Sequence, residues 1–256
     1  MIQNTRNLHK HILSLGLAAG MLCASSAPAA VLLTDDFSDG NYTANPVWTV
    51  QTGVWSASDG VIQSAGTRDN EYLVTKFSPI TNGTFSISVD VRFDSTDAVG
   101  NNRLYLLMRD SSNGSAGYEV AIAQGTLNNT QIRAISGASV GTQTKATSAY
   151  TFSTTGFVTV TWTRTALGEM VVSIAGTEYM RVATSSVSIF DTFMIGSRSL
   201  VAATETTSEV AYTHAFDNIL LTSPDAAIPE AKTAALLVGV AGLIGALLWR
   251  RQSSSR

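Results

Sequence analysis

Through the middle of the chain, apolar residues fall on every second position. Phe85, Ile87, Val89, Val91 and Phe93 alternate with Ser86, Ser88, Asp90 and Arg92. Successive side chains of a strand point to opposite sides of the pleat, so this period of two predicts a strand with one buried and one wet face. Val158, Val160 and Trp162 against Thr159, Thr161 and Thr163 repeat the pattern. Tyr118, Val120 and Ile122 follow it, as do Met170, Val172 and Ile174 less cleanly. Turn pairs separate these runs. Asp59-Gly60 joins residues 54–58 to 61–65 as a hairpin, Asn82-Gly83 opens the strand at Thr84, and Asn113-Gly114 and Ala175-Gly176 punctuate later ones. Between 30 and 228 no stretch has the 3.6-residue period of an amphipathic helix longer than two turns. An all-β fold follows: a dozen or so short antiparallel strands in a two-sheet sandwich. The polar segment 142–148 is expected to be a loop or an edge strand.

The two ends break this pattern. Residues 233–249 form an uncharged run rich in Leu, Val, Ala and Gly, preceded by Pro229-Glu230 and followed by Arg250-Arg251. Seventeen helical residues span roughly 25 Å, enough to cross the hydrocarbon of a bilayer, and the arginines stay on the cytoplasmic side. At the other end Arg6 and Lys10 precede an apolar stretch, and Ala27-Pro28-Ala29 supplies the small residues that a signal peptidase reads. Cleavage is expected after Ala29, with Ala30 the next choice. The chain therefore divides into a signal peptide (1–29), a β-sandwich (30–222), a linker with the Pro-Glu pair (223–232), a transmembrane sorting helix (233–249) and a basic cytoplasmic tail (250–256).

Composition sharpens this picture. The one cysteine, Cys23, lies in the signal peptide and follows Leu22, where a lipoprotein site needs a small residue. The mature protein forms no internal disulfide and must be held by a core or a bound ion. Over residues 31–228 there are 12 Asp and 6 Glu against 8 Arg and 2 Lys, a net charge of −8 that the whole-chain value of −3 conceals. Such an acidic body argues against nucleic acid as a partner and suits calcium or a neutral polymer such as a glycan.

Two stretches of the body resemble a known group. Thr34-Asp35-Asp36-Phe37-Ser38-Asp39-Gly40, with Trp48-Thr49 and Gly53 through Ile62, resembles the opening of concanavalin A-like, laminin-G-like jelly rolls of bacterial secreted proteins. Phe216-Asp217-Asn218-Ile219-Leu220-Leu221 looks like their final strand. The group includes glycanases, lectins and inert modules, so the resemblance specifies fold better than function. The C-terminal segment resembles the PEP-CTERM sorting signal, which an exosortase recognises and processes; Pro229-Glu230 matches, and Ala231 stands where a second Pro is usual. That resemblance implies a Gram-negative bacterium making exopolysaccharide, with the mature protein at the cell surface or in the extracellular matrix. Many carbohydrate-binding jelly rolls hold a structural calcium where first and last strands meet, which here implies Asp36, Asp39 and Asp217. The alternative is that Asp36 and Asp39 cap turns while Asp217 and Asn218 bond loop amides.

Catalytic patterns are sparse. Laminarinase-type enzymes of this fold carry Glu-x-Asp-x-x-Glu along a strand, and none of the seven glutamates begins that motif. Glu205 and Glu209 are four apart without the central Asp and read as a solvated edge. His214 is the one histidine after processing, expected at the surface or a rim, and no Gly-x-Ser-x-Gly elbow accompanies it. Sugar-binding faces use exposed rings with Asn, Asp and Arg to bond hydroxyls. Candidates are Asn101, Asn102, Arg103, Tyr105, Arg109, Tyr118 and Trp162. Tyr105 shares a face with Arg103 and Leu107, away from Leu104, Leu106 and Met108, and is the expected exposed ring. Trp48, Trp55 and Trp162 read as core or sheet-edge packing. The resulting expectation is an exported, non-catalytic, glycan-binding or structural protein, the alternative being a polysaccharide hydrolase or a lyase using Tyr and Arg.

Overall fold

A computed structural model describes residues 29–66, 69–97, 102–113, 116–125, 130–136, 139–145, 149–184, 189–198, 200–201 and 210–224. The expected signal peptide, sorting helix and tail, with Pro229, Glu230, Arg250 and Arg251, lie outside the described residues, as do Asn101, Glu205 and Glu209. Among the described residues no helix is long and apolar enough to cross a membrane.

The strands are β1 (Ala30–Asp35), β2 (Trp48–Thr52), β3 (Trp55–Ser58), β4 (Val61–Ser64), β5 (Glu71–Ile80), β6 (Phe85–Phe93), β7 (Arg103–Asp110), β8 (Ala116–Ala123) and β9 (Gln131–Ser136). They continue with β10 (Ser139–Lys145), β11 (Val158–Arg164), β12 (Glu169–Ile174), β13 (Thr177–Ala183), β14 (Phe190–Arg198), the short β15 (Leu200–Val201) and β16 (Val210–Ala211), and β17 (His214–Ser223). One sheet runs β13-β12-β11-β6-β17-β4-β3, with β1 also paired to β17; the other runs β10-β9-β8-β7-β14-β5-β2. All pairings are antiparallel. Neighbours such as β6 and β17, or β7 and β14, are distant in sequence, because the chain crosses repeatedly between the sheets. The first and last strands lie side by side, Ala30 opposite Ser223.

Period two does what it predicts in β6, where Phe85, Ile87, Val89, Val91 and Phe93 are buried and the residues between them are partly exposed. Between the sheets an aromatic row crosses the core. Trp162 meets Phe85 edge-on at 5.2 Å between ring centroids, Phe85 meets Phe190 of the opposite sheet at 5.4 Å, and Phe190 lies 6.3 Å from Tyr118. Trp48 and Trp55 are buried as expected, Trp48 against Phe37 and Phe193, and Trp55 against Phe216. The hairpin turns are also as read. Asp59 and Gly60 have φ of 55° and 76°, and Ala175 and Gly176 have 51° and 78°. Positive φ at both central residues gives a twist matching that of the flanking strands. The polar segment 142–148 contributes its first four residues to β10, an edge strand.

Candidate functional site

The outer face of the second sheet is unlike an ordinary solvated face. Register puts Arg103, Tyr105, Leu107 and Arg109 of β7 beside Ala123, Ala121, Glu119 and Gly117 of β8. Glu119 in turn stands opposite Arg133 of β9. On the other flank Arg103 faces Arg198 of β14, and Tyr105 faces Gly196, which faces Tyr72 of β5. These residues point away from the core, since Leu104, Leu106, Met108, Tyr118, Val120 and Ile122 fill the inner face. Arg103, Tyr105, Leu107, Glu119 and Ala121 are nevertheless buried, and form a second layer with Ile135 and Met194.

Gly196 makes room for the aromatic pair. A Cβ there would sit 2.5 Å from Tyr72 Cδ1, so the Tyr72 ring occupies the space a side chain would take. Tyr72 then packs on Tyr105 with centroids 5.8 Å apart and planes tilted by 41°. The Arg103 guanidinium carbon lies 5.8 Å from the Tyr105 centroid, in the range of a cation–π contact.

Charge on this face is unbalanced. Glu119 forms an ion pair with Arg133, and Arg198 Nε bonds Asp69 Oδ1 at 2.8 Å. The Nε–H groups of Arg103, Arg109 and Arg133 are buried without a hydrogen-bond acceptor among the described residues. Burial raises the Glu119 carboxyl above its usual value, against the pull of Arg133, Arg109 and Arg103. Burial also lowers Arg103, with Arg198 and Arg133 adding repulsion, and pushes Tyr105 up to about 12 against the attraction of Arg103. Tyr72 is raised as well, chiefly by burial. Both phenols are therefore neutral at physiological pH, and neither is a ready base.

Three expectations need correction. Tyr105 is on the expected face but is only 2 % exposed, covered by its neighbours rather than presented as an open ring. Tyr118, a candidate for sugar contact, points into the core, where Trp162 lies as its core reading had it. His214 is completely buried instead of lying at a rim. Its Nδ1 is 2.5 Å from Ser197 Oγ and its Nε2 is 3.0 Å from Asn102 Oδ1. Asn102 donates both amide protons, to Ser95 O and Asp97 O, which turns Oδ1 toward the ring. His214 Nε2–H therefore donates to Asn102, and Nδ1 accepts from Ser197. This Ser–His–Asn chain has the connectivity of a nucleophile, base and orienting group. All three residues are wholly inaccessible, and burial lowers the histidine to about 3, so the chain is structural.

The aspartates that the resemblance implied for calcium accept local backbone hydrogen bonds, Asp36 and Asp39 in turns and Asp217 within β17. Asp36 Oδ1 accepts from Ser38 N, Asp39 Oδ1 from Asn41 N, and Asp217 Oδ1 from Asn218 N. Asp35 is similarly engaged by Phe37 N and by Trp48 Nε1. Asp217 pairs across the strands with Asp90, not with Asp39, and among the described residues no group of three or more Asp, Glu, His or Cys is arranged to hold a metal. The residues present do not fit the ion, whose ligand shell needs several free oxygens.

Comparison of the whole fold gives the context for these sites. A carbohydrate-binding module, CBM66 of Bacillus subtilis, superposes with a TM-score of 0.50 at 14% identity, covering 69% of this chain and 95% of that one. The exoplasmic/lumenal domain of VIP36, in its Ca2+/Man3GlcNAc-bound form, gives 0.50 at 11% identity, with 69% and 83% covered. A GlcNAcα1-4Gal-releasing endo-β-galactosidase of Clostridium perfringens gives 0.52 at 10% identity, with 78% and 64% covered. The fold is that jelly-roll sandwich. No family model matches the chain, and no curated protein matches it in sequence. At these identities the likeness carries the architecture and none of the residue roles.

Within this jelly roll the sequence located one part of the charged face and missed the rest. Arg103, Tyr105 and Arg109 share one strand and could be read from alternation alone. Glu119 and Arg198 come from the two strands that flank β7, and Arg133 and Tyr72 from the next strand out on each side; local pattern does not show which strands neighbour β7. Asn102 was a candidate for sugar hydroxyls and is instead consumed by His214 and the carbonyls of Ser95 and Asp97.

Proposed function

We propose that this protein is an exported, non-catalytic component of the cell surface or extracellular matrix whose jelly roll binds a glycan through the outer face of the second sheet. The observation that carries the reading is the arginine, tyrosine and glutamate cluster on that face, which the core does not need. Arginine side chains supply the donors that sugar hydroxyls require, and the Tyr72–Tyr105 pair, with Tyr105 itself covered, supports them from beneath. Carbohydrate-binding and lectin domains among the similar structures support it. Arg103 and Tyr105 are the contacts we assign, with Arg103 donating hydrogen bonds and Tyr105 holding it in position.

The export and sorting scheme is part of this proposal. The first strand begins at Ala30, directly after the expected cleavage site. Signal peptidase removes residues 1–29, the 233–249 helix holds the product in the membrane, and an exosortase-type enzyme acts at Pro229-Glu230. Intact mass of the mature product reports both cleavages at once. Recovery of an unprocessed chain from cytosol contradicts the scheme.

A second reading, polysaccharide cleavage, is favoured by the glycosidase among the similar structures. Against it, among the described residues the centre of the face carries one carboxylate, Glu119, already paired with Arg133, whereas glycoside hydrolysis employs two carboxyl groups about 5–9.5 Å apart. A glycan array is expected to show binding, and a polysaccharide panel is expected to show no release of reducing or unsaturated ends. Sustained turnover on any polymer would replace binding with catalysis as the function. Because Asp36 and Asp39 are engaged by turn amides and Asp217 by the amide of Asn218 within β17, chelation with EDTA is expected to move the melting temperature by less than about 1 °C, where losing a structural ion costs several degrees. A large drop, reversed by added calcium, would return those aspartates to a metal-binding role.

A further inference from the structure

Glycan binding alone does not account for the charge on the second sheet's outer face. The body carries a net −8, yet here three arginines and Arg198 gather around two carboxylates, Glu119 and Asp69. Arg103 and Arg109 have no carboxylate partner among the described residues, and Arg103 is only 8 % exposed. The Nε–H groups of Arg103, Arg109 and Arg133 are buried without an acceptor among the described residues, which is unfavourable in the free protein, and in native structures an unsatisfied buried group of this kind signals an ion or ligand. The cluster does not hold the sandwich together, which rests on the core beneath it.

Resting on the reading above, we propose that this face binds an acidic polysaccharide through the carboxylates of successive uronate-type sugars. A guanidinium offers a planar fork of N–H donors that matches a carboxylate with two parallel hydrogen bonds, in a way a sugar hydroxyl does not. Spacing favours a polymer over a single sugar. Arg103 and Arg109 are six residues apart on one strand, so their backbones are separated by about 20 Å. Arg133 lies between them, opposite Glu119 and Leu107, in the register of the sheet. A row of cations of that length suits a chain bearing recurrent negative charges. Glu119 holds Arg133 in place, and Tyr72 and Tyr105 form the floor between the outer arginines. The surrounding negative charge of the body excludes polyanions denser than a glycan, such as nucleic acid.

The test uses the full chain in mild detergent with three sets of oligosaccharides: uronate polymers (polygalacturonate and alginate fragments), a sulfated polymer (dextran sulfate fragments) and neutral ones (dextran and laminarin fragments). Uronate oligomers are expected to bind, to weaken at least tenfold between 50 and 500 mM salt, and to raise the melting temperature. Arg103→Gln and Arg109→Gln are each expected to lower uronate affinity tenfold or more. Neither should lower the melting temperature of the free protein, because each removes an uncompensated charge, and this separates lost binding from lost folding. Arg103→Lys should recover only part of the affinity, since it restores charge without the fork. Neutral glycans binding equally to wild type and both variants, with no salt dependence, overturn the acidic assignment while leaving glycan binding intact. Preference for the sulfated polymer over the uronates overturns the carboxylate assignment. Absence of binding to all three sets removes both this inference and the glycan-binding reading.

Discussion

Acidification from pH 7 to pH 4 is expected to remove about 3 kcal/mol of stability through His214 alone, at 1.36 kcal/mol per pK unit. The histidine is neutral, buried and hydrogen-bonded at both ring nitrogens, and burial lowers it to about 3. The unfolded chain takes up its proton near the ordinary value of about 6.5. The group is therefore neutral in both states above pH 6.5 and costs nothing there. As pH falls between 6.5 and 3 the unfolded chain becomes protonated first, and stability is lost over that window. Denaturant midpoints of wild type and His214→Gln at pH 7, 5.5 and 4 isolate the effect. The substitution is destabilising at neutral pH, because the imidazole also packs edge-on to Phe93 at 4.7 Å. The gap should narrow by about 3 kcal/mol toward pH 4. Asp36, held low by Ser38, and Glu178, held low by Arg181, also lose their contributions in acid, but both proteins share those losses. Parallel curves would mean that the histidine titrates normally and is not sealed.

Phe85→Ala is expected to cost about 3–5 kcal/mol, lowering the melting temperature by about 10 °C for a domain of this size. Phe85 is the link between the sheets, touching Trp162 on its own sheet and Phe190 on the other, both edge-on. Removing it deletes buried apolar area and leaves a cavity that a rigid pair of sheets closes poorly. Phe85→Leu retains most of the volume and is expected to cost less than half as much. Near-equal effects of the two substitutions, both under 1 kcal/mol by urea titration, would show that the aromatic row is dispensable. Glycan binding should survive both variants at temperatures where they stay folded, since the charged face lies on the opposite side of the second sheet.

The alternation in β6 and β11 was legible because each strand has one face on the core and one in water. The Asp59-Gly60 and Ala175-Gly176 turns were legible because a two-residue hairpin demands backbone angles that few residues tolerate. Tyr105 shows the limit of this signal. Period two assigns a side chain to a side of the sheet, but its depth depends on what the adjacent strands supply. Here Gly196 lets Tyr72 lie against it, and Arg103 closes over its ring. His214 was read as a rim residue because isolated histidines in polar sequence usually are. Its partners, Ser197 and Asn102, are 17 and 112 positions away, and nothing local announces them. The aspartates near the first and last strands carried two readings; Asp36 and Asp39 each accept from a backbone N–H two residues on, and Asp217 from that of Asn218, as the turn-and-loop reading has it.

Ala30 sits across from Ser223 on an antiparallel pair, so the polypeptide enters and leaves the sandwich at one corner. A tug applied between the two ends would open that pair like a zipper, one rung at a time, rather than slide the strands past each other with all rungs loaded together. Under the proposed export scheme, removal of residues 1–29 would take away the handle for the direction of pull to which this pair of strands offers least resistance.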